Sequence, residues 1–307
     1  MENRSIAGIV ALLLASLLWG TTGTTATFLP HDVSPLAIGA STMGIGGLLL
    51  FATGPRLSLA VLRDRGSLRW IGLGALGVFI YPLAFYSAMS LAGVAVGNVV
   101  ALGSGPVFAA VYEWAGERHP LSRRWAVATG AAVVGIVGLA WGRQTAHGAA
   151  PSGTLLGVAL GLLAGAAYAL YAYASSRVIQ SGQPSRGVMG AMFGVGAVLL
   201  LPVLLVTGAP LLQSWSTISL AGYLAIGPMF VAYLLFGIGL RTVRSSSATT
   251  ITLLEPVVAT LLAVLVVGER LGAPGWVGLV LVFAGLAILI TARHRLKRGE
   301  ATLESGA

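Results

Sequence analysis

The sequence predicts an all-α polytopic membrane protein, with ten transmembrane helices arranged as two inverted five-helix repeats around a central cavity. Three observations carry this. Of 307 residues, 56% are hydrophobic and 9% charged, with a mean hydropathy of +0.90. A soluble domain holds roughly 25% charged residues, so this composition cannot cover a water-facing surface. Apolar runs of about 20 residues, the length that crosses a bilayer as a helix, recur along the whole chain. The basic residues sort into alternate loops. Disorder is excluded by the apolar content, and a disulfide scaffold by the absence of cysteine.

The runs place spans at about 6–29, 34–53, 69–90, 95–115, 124–142, 154–176, 187–206, 217–240, 246–267 and 275–292. They are long and continuous, unlike the short alternating segments of a membrane barrel. The first follows Met1-Glu2-Asn3-Arg4-Ser5 without a small-residue cleavage site, so it reads as a retained span. It carries Trp19 and a run of threonines at 21, 22, 24 and 25. The third carries Tyr81, Pro82 and Tyr86, and the fourth Asn98, Ser104 and Pro106. In the sixth, Gly157, Gly161 and Gly165 make a small-residue stripe for close packing, followed by Tyr168 and Tyr171. Gly190 and Gly194 repeat that spacing in the seventh. The eighth holds Pro228 and Tyr233, and the ninth Thr249, Thr250, Thr252, Glu255 and Pro256. Trp70, Trp125, Trp141, Trp215 and Trp276 fall near span ends, where indole rings anchor at the interface.

With the N-terminus inside, 16 of the 18 Lys and Arg lie in inner loops: Arg4; Arg56, Arg63, Arg65, Arg69; Arg118, Arg123, Arg124; Arg177, Arg186; Arg241, Arg244; Arg293, Arg295, Lys297, Arg298. Only Arg143 and Arg270 fall outside. Inner loops keep the excess of positive charge, so this split supports both the count and the orientation. The net charge of +9 is thus a topology signal that meets anionic lipid headgroups, and nucleic acid is not an expected partner. These features place both termini in the cytoplasm and the chain in a bacterial inner membrane, with a functional monomer expected.

The halves resemble each other. Gly105-Pro106-Val107-Phe108-Ala109-Ala110 matches Glu255-Pro256-Val257-Val258-Ala259-Thr260, and each is followed by Gly-Glu-Arg, at 116–118 and 268–270. Trp125 and Trp276 come next, and Pro82 with Tyr86 mirrors Pro228 with Tyr233. Ala15-Ser16-Leu17-Leu18-Trp19 overlays Ala164-Gly165-Ala166-Ala167-Tyr168. Five spans is an odd number, so the second copy is upside down relative to the first. The repeats are set at 1–147 and 148–298, with a flexible polar tail at 299–307. Inverted repeats are a hallmark of secondary transporters, with the substrate near the midplane.

On these residues the chain resembles the EamA-type drug/metabolite transporter superfamily, whose repeat ends in a proline-containing span, a Gly-Glu-Arg turn and a final span. Within it, the length and aromatic positions are similar to the YddG-like amino-acid exporters. The resemblance implies ten spans, a central cavity and export of small metabolites, and no cofactor is expected.

Trp19, Thr22, Tyr81, Tyr86, Asn98, Ser104, Tyr168, Tyr171 and Thr252 are the candidate substrate-binding residues, since polar groups at depth need partners. Core packing and back-bonding of hydroxyls to their own helix are the competing readings. Pro82, Pro106, Pro228 and Pro256 are candidate hinges or fixed bends, because proline removes a backbone donor. Glu255 is the sole acid near the middle of a span, and Glu113, at a span end, is expected to be hydrated. A charge at mid-span costs about 2.5–3.5 kcal/mol on insertion scales. Glu255 therefore reads either as a proton or amine site or as a helix-pairing hydrogen bond. No Lys, Arg or His lies deep in a span, which disfavours strongly anionic substrates. A neutral or zwitterionic molecule with an apolar or aromatic group fits better, and an amino acid is the leading case.

An uptake permease or drug exporter shares this architecture. A non-transporting scaffold and an intramembrane enzyme are the readings from other classes. An enzyme needs a nucleophile beside a base, and no His lies in the spans to serve Ser104. Gly72-Leu73-Gly74-Ala75-Leu76-Gly77 imitates a dinucleotide fingerprint, but that motif requires a preceding strand. No Cys or His cluster suggests a metal.

Overall fold

The computed structural model describes residues 2–92, 94–118, 122–144, 154–267, 272–285 and 287–288, and within them every regular element is helical. Helices α1 (Glu2–Ala26) and α2 (Pro35–Ala52) are followed by a short α3 (Pro55–Arg63). Then come α4 (Arg65–Ala92), α5 (Val94–Glu117), α6 (Arg123–Gln144), α7 (Thr154–Gln180) and α8 (Ser185–Thr207). Helix α9 (Trp215–Leu224), a π-helical turn (Ala225–Val231) and α10 (Ala232–Gly239) form one rod. Helices α11 (Ser245–Ile251) and α12 (Leu254–Leu262) and a second π turn (Ala263–Val267) form another. Helix α13 spans Ala273–Gly285.

Seven of these rods are long and apolar enough to cross a membrane. Helices α5 and α6, of 24 and 22 residues, and the shorter apolar α13 complete a set of ten. Their outward faces are greasy: Leu155, Leu205 and Val206 are each more than 80% exposed, as lipid-facing side chains are. Trp114, Trp215 and Trp276 are exposed near rod ends, in keeping with an anchoring role. The side chain of Trp141, the second Gly-Glu-Arg (268–270) and the tail (299–307) lie outside the described residues.

The rods pack in a pattern that maps onto itself when the halves are exchanged. Helix α7, first of the second half, lies along α4 and α5; α1, first of the first half, lies along α10 and α12. Helix α2 pairs with α8, and α6 meets α13, where a Cβ on Gly135 would come within 2.6 Å of the Gly278 carbonyl. The small-residue stripe explains the α7 contacts. A Cβ on Gly157 would stand 2.6 Å from Ala92, and one on Gly165 would stand 2.7 Å from the Ala101 carbonyl. Larger residues would push these backbones apart.

Contacts sort the rod ends into two faces. The Glu117–Arg177 ion pair (2.9 Å), the Gln183–Asp64 hydrogen bond (3.1 Å) and the Glu113–Ser246 bonds join the ends near 64, 117, 180 and 245. This face carries the arginines of those loops. The opposite face joins the ends near 32 and 213 through Gln213 and Asp32 (3.0 Å). Helix α3 is an element that the span reading omitted. Its Ser58 and Val61 pack on α8, while Arg56 and Leu59 face outward on the arginine-rich face.

Candidate functional site

At mid-depth, where the halves meet, seven rods wall one cavity. Helix α1 gives Trp19 and Thr22, α2 Thr42 and Met43, α4 Tyr81, Pro82, Phe85 and Tyr86, and α5 Leu102. Helix α7 gives Tyr168 and Tyr171, the α9–α10 rod Leu224, Pro228, Met229 and Tyr233, and α12 Glu255. The empty space, mouth included, is about 550 Å³, within the ordinary range for a small-molecule site. Only about 60 Å³ of it admits the centres of water-sized molecules. At ~10–15 Å³ each, that is a handful of waters. A solute larger than this must push the aromatic walls aside.

The walls hold one another in place. Trp19 packs on Tyr233 and Phe236, with ring centroids 4.9 and 5.5 Å apart. Tyr81 stacks on Phe85 at 5.3 Å and leans on Tyr171 at 5.8 Å. Offset and edge-on pairs of this kind add to the area they bury. The Tyr171 and Tyr233 hydroxyls bond to each other, and Tyr168 bonds to Thr252 at 2.7 Å. Glu255 sits in the first turn of α12, just past the break at Thr252–Leu253, half-buried against this wall. Among the described residues its carboxylate has neither an ion-pair partner nor a side-chain hydrogen bond, and no Lys, Arg or His lines the cavity.

Of the candidates from the sequence, Trp19, Thr22, Tyr81, Tyr86, Tyr168, Tyr171 and Glu255 line the cavity, as do Pro82 and Pro228. Asn98, Ser104, Thr252, Pro106 and Pro256 do not. Thr252 stands behind Tyr168 and also bonds the Thr249 carbonyl at 3.0 Å. Ser104 bonds back to Ala101 at 3.3 Å and packs against Gly165. The Asn98 Oδ1 is buried without a partner among the described residues. The reading omitted Thr42, Met43 and Met229, and it left Tyr233 out of the site although its hydroxyl lay at depth. Period-3.6 spacing from Trp19 and Tyr168 would have found only the same-helix neighbours, not α2. Among the described residues no three His, Asp or Glu side chains gather as a metal site would require.

The profile of the EamA-like transporter family matches the chain twice, over residues 6–141 and 155–291. The chain belongs to this family. An uncharacterized transporter of Bacillus subtilis, YwfM, is 31% identical over 294 residues, covering 94% of this chain and 96% of its own. An uncharacterized transporter of Clostridium kluyveri is 28% identical over 159 residues, about half of each chain. A solved structure titled "Crystal structure of protein" superposes with a TM-score of 0.76 over 96% of this chain and 99% of its own. At 22% identity this likeness shows the fold. The EamA-like chain is therefore a multi-pass membrane transporter and not an enzyme.

One expectation for this EamA-like chain is overturned. Glu113 is not hydrated: it is 5% exposed and bonded across the halves. Its carboxylate accepts from the Ser245 hydroxyl (2.7 Å), the Ser246 amide (2.9 Å) and the Ser246 hydroxyl (2.7 Å). Position near a span end placed it at the interface, but α11 covers it.

Proposed function

We propose that this transporter exports small neutral or zwitterionic metabolites, foremost amino acids with apolar or aromatic side chains, by alternating access. The observation that carries the reading is an aromatic cavity between the halves with one carboxylate, Glu255, that has no partner among the described residues. A substrate amine would bond to Glu255, and the side chain would lie among Trp19, Tyr81, Tyr168 and Tyr171. A carboxylate among aromatic walls without a described partner is costly, and an amine offsets that cost. The halves, 1–147 and 148–298, would be inverted copies that rock about this site, with Pro82, Pro106, Pro228 and Pro256 as the flexible points. The arginine-rich face would be cytoplasmic, as the bias of basic loops supports, with both termini inside a bacterial inner membrane and a monomer as the working unit.

The lining favours a second reading as well. It offers an acceptor for an amine but no described cation for a carboxylate, so a cationic organic amine fits the same walls. Liposomes carrying the purified chain, offered labelled phenylalanine, leucine, tryptophan and phenethylamine, test both. Amino-acid flux above empty liposomes supports the first reading. Flux of the amine alone replaces it with the second, and no flux of any of the four refutes both.

A further inference from the structure

We propose that Glu113 is a latch that holds the arginine-rich face of the transporter shut. The cavity reaches from mid-depth toward the other face. On α1 it touches Trp19 and Thr22, near the Ala26 end, and on α4 it touches Tyr81 to Tyr86, nearer Ala92 than Arg65. Beneath it, on the arginine-rich side, the rods close. There α5 of the first half presents Glu113 to the start of α11 of the second half, and three donors surround its carboxylate at 2.7–2.9 Å.

The setting is built for closure. Four residues further along α5, Glu117 pairs with Arg177 of α7 at 2.9 Å. Both Arg177 and Arg69 lie over the Trp70 ring, 5.5 Å from its centre, and Trp70 meets Tyr173 edge-on. Above Glu113, Thr129 of α6 bonds Thr250 of α11 at 3.0 Å. Three short bonds converging on one buried carboxylate make a strong contact. Separating α5 from α11 would leave that carboxylate and two serine hydroxyls to be rehydrated before the face could open.

Among the described residues the latch has no counterpart on the other face. Aligning Pro106 with Pro256 sets Glu113 opposite Ala263, and Ser245 and Ser246 opposite Ala95 and Val96. Those residues carry neither the acceptor nor the hydroxyls. The two faces of a duplicated fold are thereby held with different strength, and the resting protein faces away from its arginines.

The latch rests on the alternating-access reading, but its test needs no solute. The natural chain has no cysteine, so Thr22→Cys, in the half-exposed part of the cavity wall near the Ala26 end, is a single reporter for a membrane-impermeant maleimide. Vesicles of each orientation present one face at a time. In the reporter chain, labelling is fast from the arginine-poor face and slow from the arginine-rich face. Adding Glu113→Ala, or the isosteric Glu113→Gln should the alanine variant fail to fold, speeds labelling from the arginine-rich face by roughly tenfold and slows it from the other. Labelling unchanged at both faces overturns the latch. Labelling faster at both faces overturns it too, because that reports general loosening. Failure of the flux panel leaves this result standing, and the reverse holds equally.

Discussion

Glu113 and Glu255 are two acids within the membrane-spanning rods of one chain, and their surroundings are opposite. Around Glu113, α5 and α11 deliver three donors and the carboxylate is fully engaged. Around Glu255, aromatic rings close in and no described donor reaches the side chain. The first arrangement is complete without a ligand and belongs to the architecture. The second has no partner among the described residues, and that is the place the proposed amine would take. The contrast extends to the backbone. Pro82 and Pro106 sit inside unbroken α-helices of the first half, whereas Pro228 lies in a π turn and Pro256 follows a break in the second. A π turn adds a residue where proline has removed a donor, and such turns frequently mark functional sites. The duplicated prolines thus sit in two backbone states at once.

The largest effect is expected at the engaged acid. Glu113→Ala strips three donors of their acceptor and should lower stability by roughly 3 kcal/mol, read as the melting point in detergent. Glu255→Gln should leave that melting point unchanged or raise it, because it removes an acid with no described partner. Equal destabilisation by the two would erase the contrast. For transport the order reverses. Glu255→Gln should weaken amine-bearing substrates by about 10- to 100-fold, the range of a lost charged hydrogen bond, seen as KM in the liposome assay. Tyr168→Phe, which removes one hydroxyl from the wall and leaves Thr252 only its bond to the Thr249 carbonyl, should cost about 1 kcal/mol in the same melting assay. Loss of several times that would mean the hydroxyl is part of a larger network.

The smallest effect is expected outside the membrane, at Asp64 between α3 and α4. The Ser67 hydroxyl first, then the Gly66 amide, and also Gln183, hold its carboxyl below the usual range. A group with a depressed pKa stabilises the fold above its unfolded value, near pH 4 for an aspartate. That contribution is lost as pH falls through the lower, folded value. Asp64→Asn should therefore remove a small part of the acid sensitivity of melting and change nothing at neutral pH dependence of flux. A variant as acid-sensitive as the parent would show that Asp64 contributes nothing measurable.

The rods were legible because continuous apolar runs leave little choice of structure, and the spans stand within a few residues of the described rods, the end of the tenth lying outside the described residues. Helix α3 was hidden: its nine residues alternate leucine with arginine and serine, and a span-length window cannot register them. Glu113 was misread because chain position reports depth and not neighbours. Its partners lie 132 and 133 residues away. The same limit applies to Thr42 and Met43, which nothing in α2 distinguishes from packing residues until α4 and the α9–α10 rod are set beside them. Thr252 and Ser104 were chosen for their hydroxyls, but a hydroxyl on a helix has its own backbone within reach, and direction decides. The aromatic residues fared differently, since a large ring with a polar tip near mid-span has few places to go.

The exchange of first helices has a consequence for how such a protein can be divided. Helix α1 buries its inner side against α10 and α12, and α7 buries its stripe against α4 and α5. Each half lends its opening segment to the other, like two clasped hands. A single five-helix unit, cut free at the middle of the chain, would keep a bare glycine-lined groove and a helix with nowhere to dock. Only a second copy, laid head to foot, could fill both.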